Sequence, residues 1–257
     1  MSETGKGPAE KGLSTVDLCK SFGALSVANS INFNLAAGAR HALIGPNGAG
    51  KTSFVNLVTG VLRPTSGRLM LDGDDITALP QAQRVKRGLV RTFQITALFR
   101  RLCVLENVAL AIAERQGVGG DFLRPAGRHR AVIEEAYDVL ETLGLARDAL
   151  RPITELAYGR QRMVEIAVSL ALKPSVLLLD EPAAGVPPSE SIMIIEAIER
   201  LPADIAVLFI EHDMELVFRV AQRITVLVQG GVLVEGKPAE IAADPRVRQV
   251  YLGERKH

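Results

Sequence analysis

Cysteine is scarce in this 257-residue chain, with only two. Cys19 and Cys103 stand apart, and neither has metal-ligand spacing around it. A disulfide scaffold and a cysteine-held metal are therefore excluded, and a reducing compartment is expected. An excess of charge of one sign is also missing. Thirty Lys and Arg against 29 Asp and Glu leave a formal net charge of +1. Such a balance projects no strong field for nucleic acid, so no nucleic-acid partner is expected. No apolar run approaches the roughly 18 residues of a membrane-spanning helix. Internal repeats are absent. Residues 1–12 are polar and glycine-bearing, without a hydrophobic segment. They read as a disordered lead-in, not as a secretory signal. The remaining length suffices for one α/β core plus a lobe.

What is present begins with Gly45-Pro46-Asn47-Gly48-Ala49-Gly50-Lys51-Thr52. This fits G-x-x-x-x-G-K-[ST], the phosphate-binding loop. Its glycines let the backbone curl so that several N–H groups face one phosphate. Lys51 supplies a mobile cation for β- and γ-phosphates, and the Thr52 hydroxyl suits Mg²⁺. Residues 39–44 read as a buried strand before the loop. Ser53 opens an amphipathic stretch after it, with Phe54, Leu57 and Val58 at helical spacing. A helix starting near Lys51 turns its positive end toward the anion.

A metal-side carboxylate comes from Val176-Leu177-Leu178-Leu179-Asp180, a short apolar run that fits a buried parallel strand. Asp180 then falls at the carboxyl end of its strand, where open α/β sheets bind ligands. Glu181 follows at once. Neighbours at a strand end diverge, so this second carboxylate can face the γ-phosphate and orient a water.

The rest reads coarsely. Residues 13–90 alternate short β-rich stretches with turns such as Leu71-Asp72-Gly73-Asp74, which predicts antiparallel strands flanking the loop. Residues 97–154 are helical in character, with Ile133, Ala136, Tyr137, Leu140 and Leu143 on one face. Residues 115–130 are rich in Gly and Arg and read as an exposed loop. A helix over 160–172 carries Met163, Ile166, Ala167 and Leu170 as a packing stripe. Residues 205–210 form another apolar strand, and 226–234 a hairpin turning at Gly230-Gly231. His41 reads as structural, His129 as solvated. Arg84, Lys86, Arg87 and Arg91 read as a solvated basic face. The expected divisions are a single domain over 13–257 after the lead-in. It comprises a β subdomain and loop core (13–95), a helical subdomain (96–158), core again (159–228), and a hairpin and tail (229–257).

Leu156-Ala157-Tyr158-Gly159-Arg160-Gln161-Arg162 resembles the L-S-G-G-Q-x-R signature of ATP-binding-cassette (ABC) proteins. Other motifs of that family follow in order. Gln94 in Arg91-Thr92-Phe93-Gln94 matches the Q-loop glutamine. His212 in Glu211-His212-Asp213 matches the switch histidine. Phe22 matches the aromatic that stacks on adenine. Matching motifs run from Phe22 to His212, covering nearly the whole chain. Tyr158, the stretch Glu181-Pro182-Ala183-Ala184-Gly185 and the tail after Asp244-Pro245 look like one subgroup, the ATPase subunits of bacterial branched-chain (hydrophobic) amino-acid importers. The long segment between Gln94 and Leu156 is similar to the larger of that importer's two ATPase subunits. A related urea-importer subunit has a similar tail and stays open.

The resemblance implies a RecA-like parallel core, an antiparallel β subdomain and a helical subdomain. ATP and Mg²⁺ are the implied cofactors. Phe22, residues 45–53 and, on the facing subunit, Leu156, Ala157, Tyr158, Gly159, Arg160 and Gln161 are the implied nucleotide contacts. Thr52, Gln94 and Asp180 face the metal; Lys51, Gln94, Glu181 and His212 serve hydrolysis. A second ATPase subunit, identical or not, closes head to tail over two ATP molecules. Membrane permease subunits are driven by that closure, and a periplasmic binding protein is an indirect partner. The implied location is cytoplasmic, peripheral on the inner face of the plasma membrane.

Two positions depart from the family. Ala157 stands where the signature has serine, which removes a hydrogen bond to the partner's γ-phosphate worth on the order of 1.5–3 kcal/mol. The Gly159 N–H and the helix start are expected to remain available to that phosphate. Pro187 stands where the D-loop has Asp or Asn, so cross-subunit polar contacts are reduced. Three other classes stay open: a small-molecule kinase, a non-transport ABC protein, and a weakly hydrolysing partner in a heterodimer. Gln94, the signature and His212 oppose the first. The lack of a second cassette or long coiled coil opposes the second.

Overall fold

A computed structural model describes residues 11–92, 98–118 and 130–253. Gln94, His129 and most of residues 1–12 lie outside the described residues, as does most of the expected loop over 115–130. The chain opens with two long antiparallel strands, β1 (Gly12–Phe22) and β2 (Leu25–Ala36). β3 (Arg40–Ile44) leads into the loop and α1 (Lys51–Thr59). β4 (Ser66–Leu71) and β5 (Asp74–Asp75) make a hairpin across Asp72-Gly73, as the turn residues predict. All of these but β3 form a four-stranded antiparallel sheet in the order β2-β1-β4-β5.

A six-stranded sheet is the second layer. After α2 (Gln81–Lys86) come β6 (Leu89–Arg91), α3 (Val104–Arg115), α4 (Arg130–Thr142) and α5 (Tyr158–Ala171). β7 (Val176–Asp180), α6 (Pro188–Glu199), β8 (Ala206–Ile210) and α7 (Met214–Val220) alternate, as a parallel sheet requires. β9 (Arg223–Val228) and β10 (Gly231–Gly236) precede α8 (Pro238–Ala243) and α9 (Pro245–Gly253). The strand order is β10-β9-β3-β8-β7-β6, parallel except at the β9–β10 edge.

Two cores lie on opposite faces of this sheet. Leu178 and Leu208 face Phe54, Leu57 and Val58 of α1 together with Phe33 of β2, so α1 is packed between the two sheets. Leu177, Leu179 and Phe209 face the other way, onto apolar residues of α3 to α7. Strands buried on both faces explain why residues 176–179 and 206–210 are continuously apolar rather than alternating. No helix among the described residues is long and apolar enough to cross a membrane.

Three expectations need correction. On α4 the buried face is Val132, Ala136 and Leu140, with Leu143 just beyond, while Tyr137 is 46% exposed and Ile133 only half-buried. The neighbour α3 meets the helix about one position round from the stripe read from spacing. The late hairpin turns at Gln229-Gly230, and Gly231 already pairs with Val228. Both turn residues have positive φ, 50° and 79°, which matches the twist of the flanking strands. Arg84, read as solvated, is 2% exposed. Its guanidinium donates to the carbonyls of Leu57 and Val58, at the last turn of α1, and to those of Thr77 and Leu79. The last carbonyls of a helix lack i+4 partners, although that of Leu57 also takes the Gly60 N–H at 3.3 Å, and a buried cation there meets the negative end of the dipole.

Candidate functional site

The phosphate loop owes its shape to close backbone approaches. Gly45 has φ 156°, and a Cβ there would lie 2.3 Å from the Leu227 carbonyl oxygen. Gly50 caps α1 with φ 101°, and a Cβ there would lie 2.8 Å from the Val27 carbonyl oxygen. Only glycine fits such positions without displacing backbone. The Gly230 N–H donates to the Ala49 carbonyl at 2.9 Å, and the Asn29 N–H to the Gly230 carbonyl at 2.7 Å. The β9–β10 turn therefore ties the loop to β2. Lys51 reaches back, its ammonium donating to the carbonyls of Gly45 and, at 3.1 Å, Pro46. Thr52 is exposed and Ser53 half-buried at the start of α1.

A cleft of about 540 Å³ opens above this loop. Residues 47–53 line it, with Leu25, Ser26 and Val27 on one side and Gln229 and Gly230 on another. Glu181 and His212 complete the wall, with His212 Nε2 2.9 Å from Glu181 Oε1. Two strand ends bring them together: Glu181 follows β7, His212 follows β8, and the Glu181 N–H donates to the Ile210 carbonyl at 2.9 Å. Glu181 sits in the left-handed region at φ 49°. For a non-glycine residue this costs on the order of 1 kcal/mol and persists only where the surroundings enforce it.

Glu211 is part of that enforcement and was not singled out from sequence. Its carboxylate is 4% exposed and accepts the N–H groups of Ala183, at 2.9 Å, and His212, at 3.1 Å. It thereby fixes the chain after β7 against the chain after β8. Burial pushes its carboxyl above the ordinary value, against the lowering effect of these amides. Asp213 accepts from Glu215 and Leu216 and caps α7. The pattern Glu-His-Asp after an apolar strand was the only available signal.

Asp180 ends β7 as expected, but its surroundings were not foreseen. Arg91, read as solvated, donates through Nη2 to Asp180 Oδ2 and through Nη1 to Asn56 Oδ1 on α1, the latter at 3.0 Å. Phe22, by contrast, ends β1 opposite Leu25, with the Lys20 ammonium 4.8 Å above its ring. Leu25, not Phe22, lines the cleft.

Leu156, Ala157, Tyr158, Gly159, Arg160 and Gln161 do not line the cleft either. They begin α5, with Ala157 as the residue before its first turn. Gln161 closes that turn, its N–H donating to the Ala157 carbonyl at 3.0 Å and its side chain to the Leu156 carbonyl at 2.9 Å. Arg160 reaches the Gly144 carbonyl and Asp148. The Gly159 N–H is not available as expected: it donates to Glu190 Oε2, on the first turn of α6, at 3.1 Å. A Cβ at Gly159 would lie 2.4 Å from that oxygen, so glycine admits the carboxylate.

The model of the "ABC transporter" family matches residues 28–184, and that of the "branched-chain amino acid ATP-binding cassette transporter" family matches residues 232–257. The chain is 40% identical over 249 residues to LivG of Escherichia coli K12, a high-affinity branched-chain amino acid transport ATP-binding protein; 94% of this chain and 98% of LivG are covered. It is 40% identical over 242 residues to BraF of Pseudomonas aeruginosa, which carries the same description, with 91% and 94% covered. Among solved structures, the ADP conformation of MJ1267, an ATP-binding cassette of an ABC transporter, superposes with a TM-score of 0.81 at 31% identity, covering 95% of this chain and 99% of that one. A phosphate loop on a RecA-like parallel core, an antiparallel β layer and a signature helix accord with these likenesses: the chain belongs to the ABC transporter family of ATP-binding proteins, in its branched-chain amino acid branch.

Proposed function

We propose that this chain binds and hydrolyses ATP to drive a bacterial importer of branched-chain or other hydrophobic amino acids. The observation that carries the reading is the shared cleft, in which the loop from Asn47 to Ser53 faces the Glu181–His212 pair. The triphosphate lies along the loop N–H groups and the positive end of α1. Lys51 leaves its loop carbonyls for the β- and γ-oxygens. Glu181 holds the attacking water in line with the γ-phosphorus and draws on its proton. His212, already bonded to Glu181, steadies a γ-oxygen as charge builds. Gln94 completes the set that the family resemblance assigns. Phe22 and Leu25 are adjacent candidates for the adenine contact, with Leu25 nearer the cleft.

The residues fit Mg²⁺ by their donor chemistry. Thr52 offers a hydroxyl and Asp180 a carboxylate oxygen, the hard ligands this ion takes alongside phosphate oxygens and water. Among the described residues no cluster of three or more His, Cys, Asp or Glu could hold an ion alone, so the ion would arrive with the nucleotide. When bound, it neutralises charge between the β- and γ-phosphates.

The Leu156–Gln161 segment begins α5 and does not line the cleft, which supports a partner subunit, identical or not, contributing it in trans. Membrane permease subunits and, through them, a periplasmic binding protein complete the assembly, with this chain peripheral on the cytoplasmic side. A urea or other small-solute importer is the neighbouring reading. Lys51→Ala is expected to weaken ATP binding. Glu181→Gln is expected to keep binding but to lower kcat by at least about 10²-fold, as for a lost water-orienting base. Fluorescent-nucleotide titration and a steady-state ATPase assay check both, and unchanged turnover in Glu181→Gln removes that residue from its role. Uptake into proteoliposomes carrying the associated permease, with leucine against urea, settles the substrate.

A further inference from the structure

Asp180 divides its two carboxylate oxygens. Oδ2 takes the Arg91 guanidinium, while Oδ1 takes no hydrogen bond among the described residues. The pair is enclosed, with side chains 19% and 10% exposed, so it is not a solvent-screened surface ion pair. The other arm of the same guanidinium holds Asn56, one turn beyond Thr52 on the helix that starts at the phosphate loop. Asn56 and Asp180 are thus joined by one rigid planar fork, although one follows the loop and the other ends β7. Arg91 can do this because it is the last residue of β6, beside β7 at the sheet edge, where its partner in register is Leu178. The backbone locks the same corner: the Thr92 N–H donates to the Leu178 carbonyl at 2.9 Å, and the Thr92 hydroxyl lies 3.4 Å from the Asp180 amide.

We infer that Arg91 is a positioning residue that turns Asp180 so that Oδ1 is presented to the Mg²⁺ of the bound nucleotide, and that holds this carboxylate at a set distance from Thr52. The inference rests on the assignment of Asp180 to the metal shell under Proposed function. A planar fork with two acceptors suits this task and an ammonium does not, because one Lys nitrogen cannot span both partners in fixed geometry. Partners that orient a metal-side carboxylate act on metal affinity rather than on the nucleotide itself.

The experiment titrates Mg²⁺ against a fluorescent ATP analogue on the full chain, with binding in EDTA as reference and thermal unfolding as the check on folding. For Arg91→Gln, half-saturating Mg²⁺ is expected to rise about tenfold, the lower end of what loss of an orienting partner costs a metal site. Binding in EDTA stays as in the parent. Arg91→Lys gives a smaller rise, and Asn56→Ala, which loosens the second arm only, a smaller one still. Should Arg91→Gln unfold, the Lys and Asn56 variants carry the same ordering. An unchanged or lower Mg²⁺ requirement in all three overturns the inference; a lower one would make Arg91 a competitor of the ion. Asp180→Asn separates the two levels. If it leaves Mg²⁺ dependence untouched, the metal-side reading of Asp180 fails. If it raises the requirement while the Arg91 variants do not, only the positioning role fails.

Discussion

At the scale of single residues, burial decides what charge does. His41 is 1% exposed, with Phe33 on one side and the Thr225 hydroxyl 2.8 Å from Nε2. Burial lowers its pKa from 6.5 to about 4, against the raising effect of Glu235 and with a further lowering by Arg223. The folded form therefore resists a proton that the unfolded chain accepts. As pH falls below 6.5 the unfolded chain is favoured, and this loss is complete near pH 4. Its size is about 3 kcal/mol, from 1.36 kcal/mol per pH unit. Urea unfolding from pH 7 to pH 4 should show wild type losing stability faster than His41→Gln, which keeps a hydrogen-bonding group without titrating. Parallel curves for the two proteins would rule His41 out as the source. Arg84 and Arg91 meet burial with hydrogen bonds instead, four carbonyl acceptors for one and two side-chain acceptors for the other.

At the scale of elements, the start of α5 is the informative place. Ala157 occupies the capping position, with extended φ and ψ of −59° and 154°, and makes no side-chain cap. Glu190 takes the Gly159 N–H, so the Arg160 N–H is the amide of the first turn that a capping side chain at 157 would reach. Ala157→Ser should supply that cap and stabilise the protein by about 1 kcal/mol, raising Tm by roughly 2–4 °C in the absence of nucleotide. A hydroxyl bonded in this way is less available to a partner's γ-phosphate. The gain in ATPase rate should therefore fall short of the about tenfold that a modest new hydrogen bond gives in the transition state. Calorimetry and ATPase assays on the two proteins test both halves. An unmoved Tm with a rate gain of tenfold or more would show that the hydroxyl points at the partner and not at its own helix.

At the scale of the whole molecule, the cleft and the signature segment belong to one chain but not to one site. The Leu156–Gln161 segment does not line the cleft that holds the phosphate loop, Glu181 and His212. On the function proposed above, a second copy or a related chain supplies that segment, and a ligand bridging two subunits stabilises only the closed form. Sedimentation of Glu181→Gln with Mg-ATP should show dimer, and the same protein without nucleotide should show monomer. A dimer indifferent to nucleotide counts against closure as the working step.

The local chemistry was legible along the chain. Residues 45–52 spell a loop whose glycines, lysine and threonine act within a few residues of one another, and apolar continuity over 176–179 and 206–210 marks strands buried on both faces, with Asp180 and Glu181 at the end of one. Such features are legible because their causes lie close along the chain. Other features depend on partners far away in sequence. Leu25 and Gln229 reach the cleft because β2 and the β9–β10 turn close on the loop, through Asn29, Ala49 and Gly230. Arg91 meets Asp180, 89 positions on, because β6 pairs with β7. The α4 stripe is rotated because α3 sets which side is inside. Gly159 meets Glu190, 31 positions on, because α6 packs on α5. Charge, burial and hydrogen-bond partners are properties of neighbours in space, and the order of strands in the sheet chooses those neighbours.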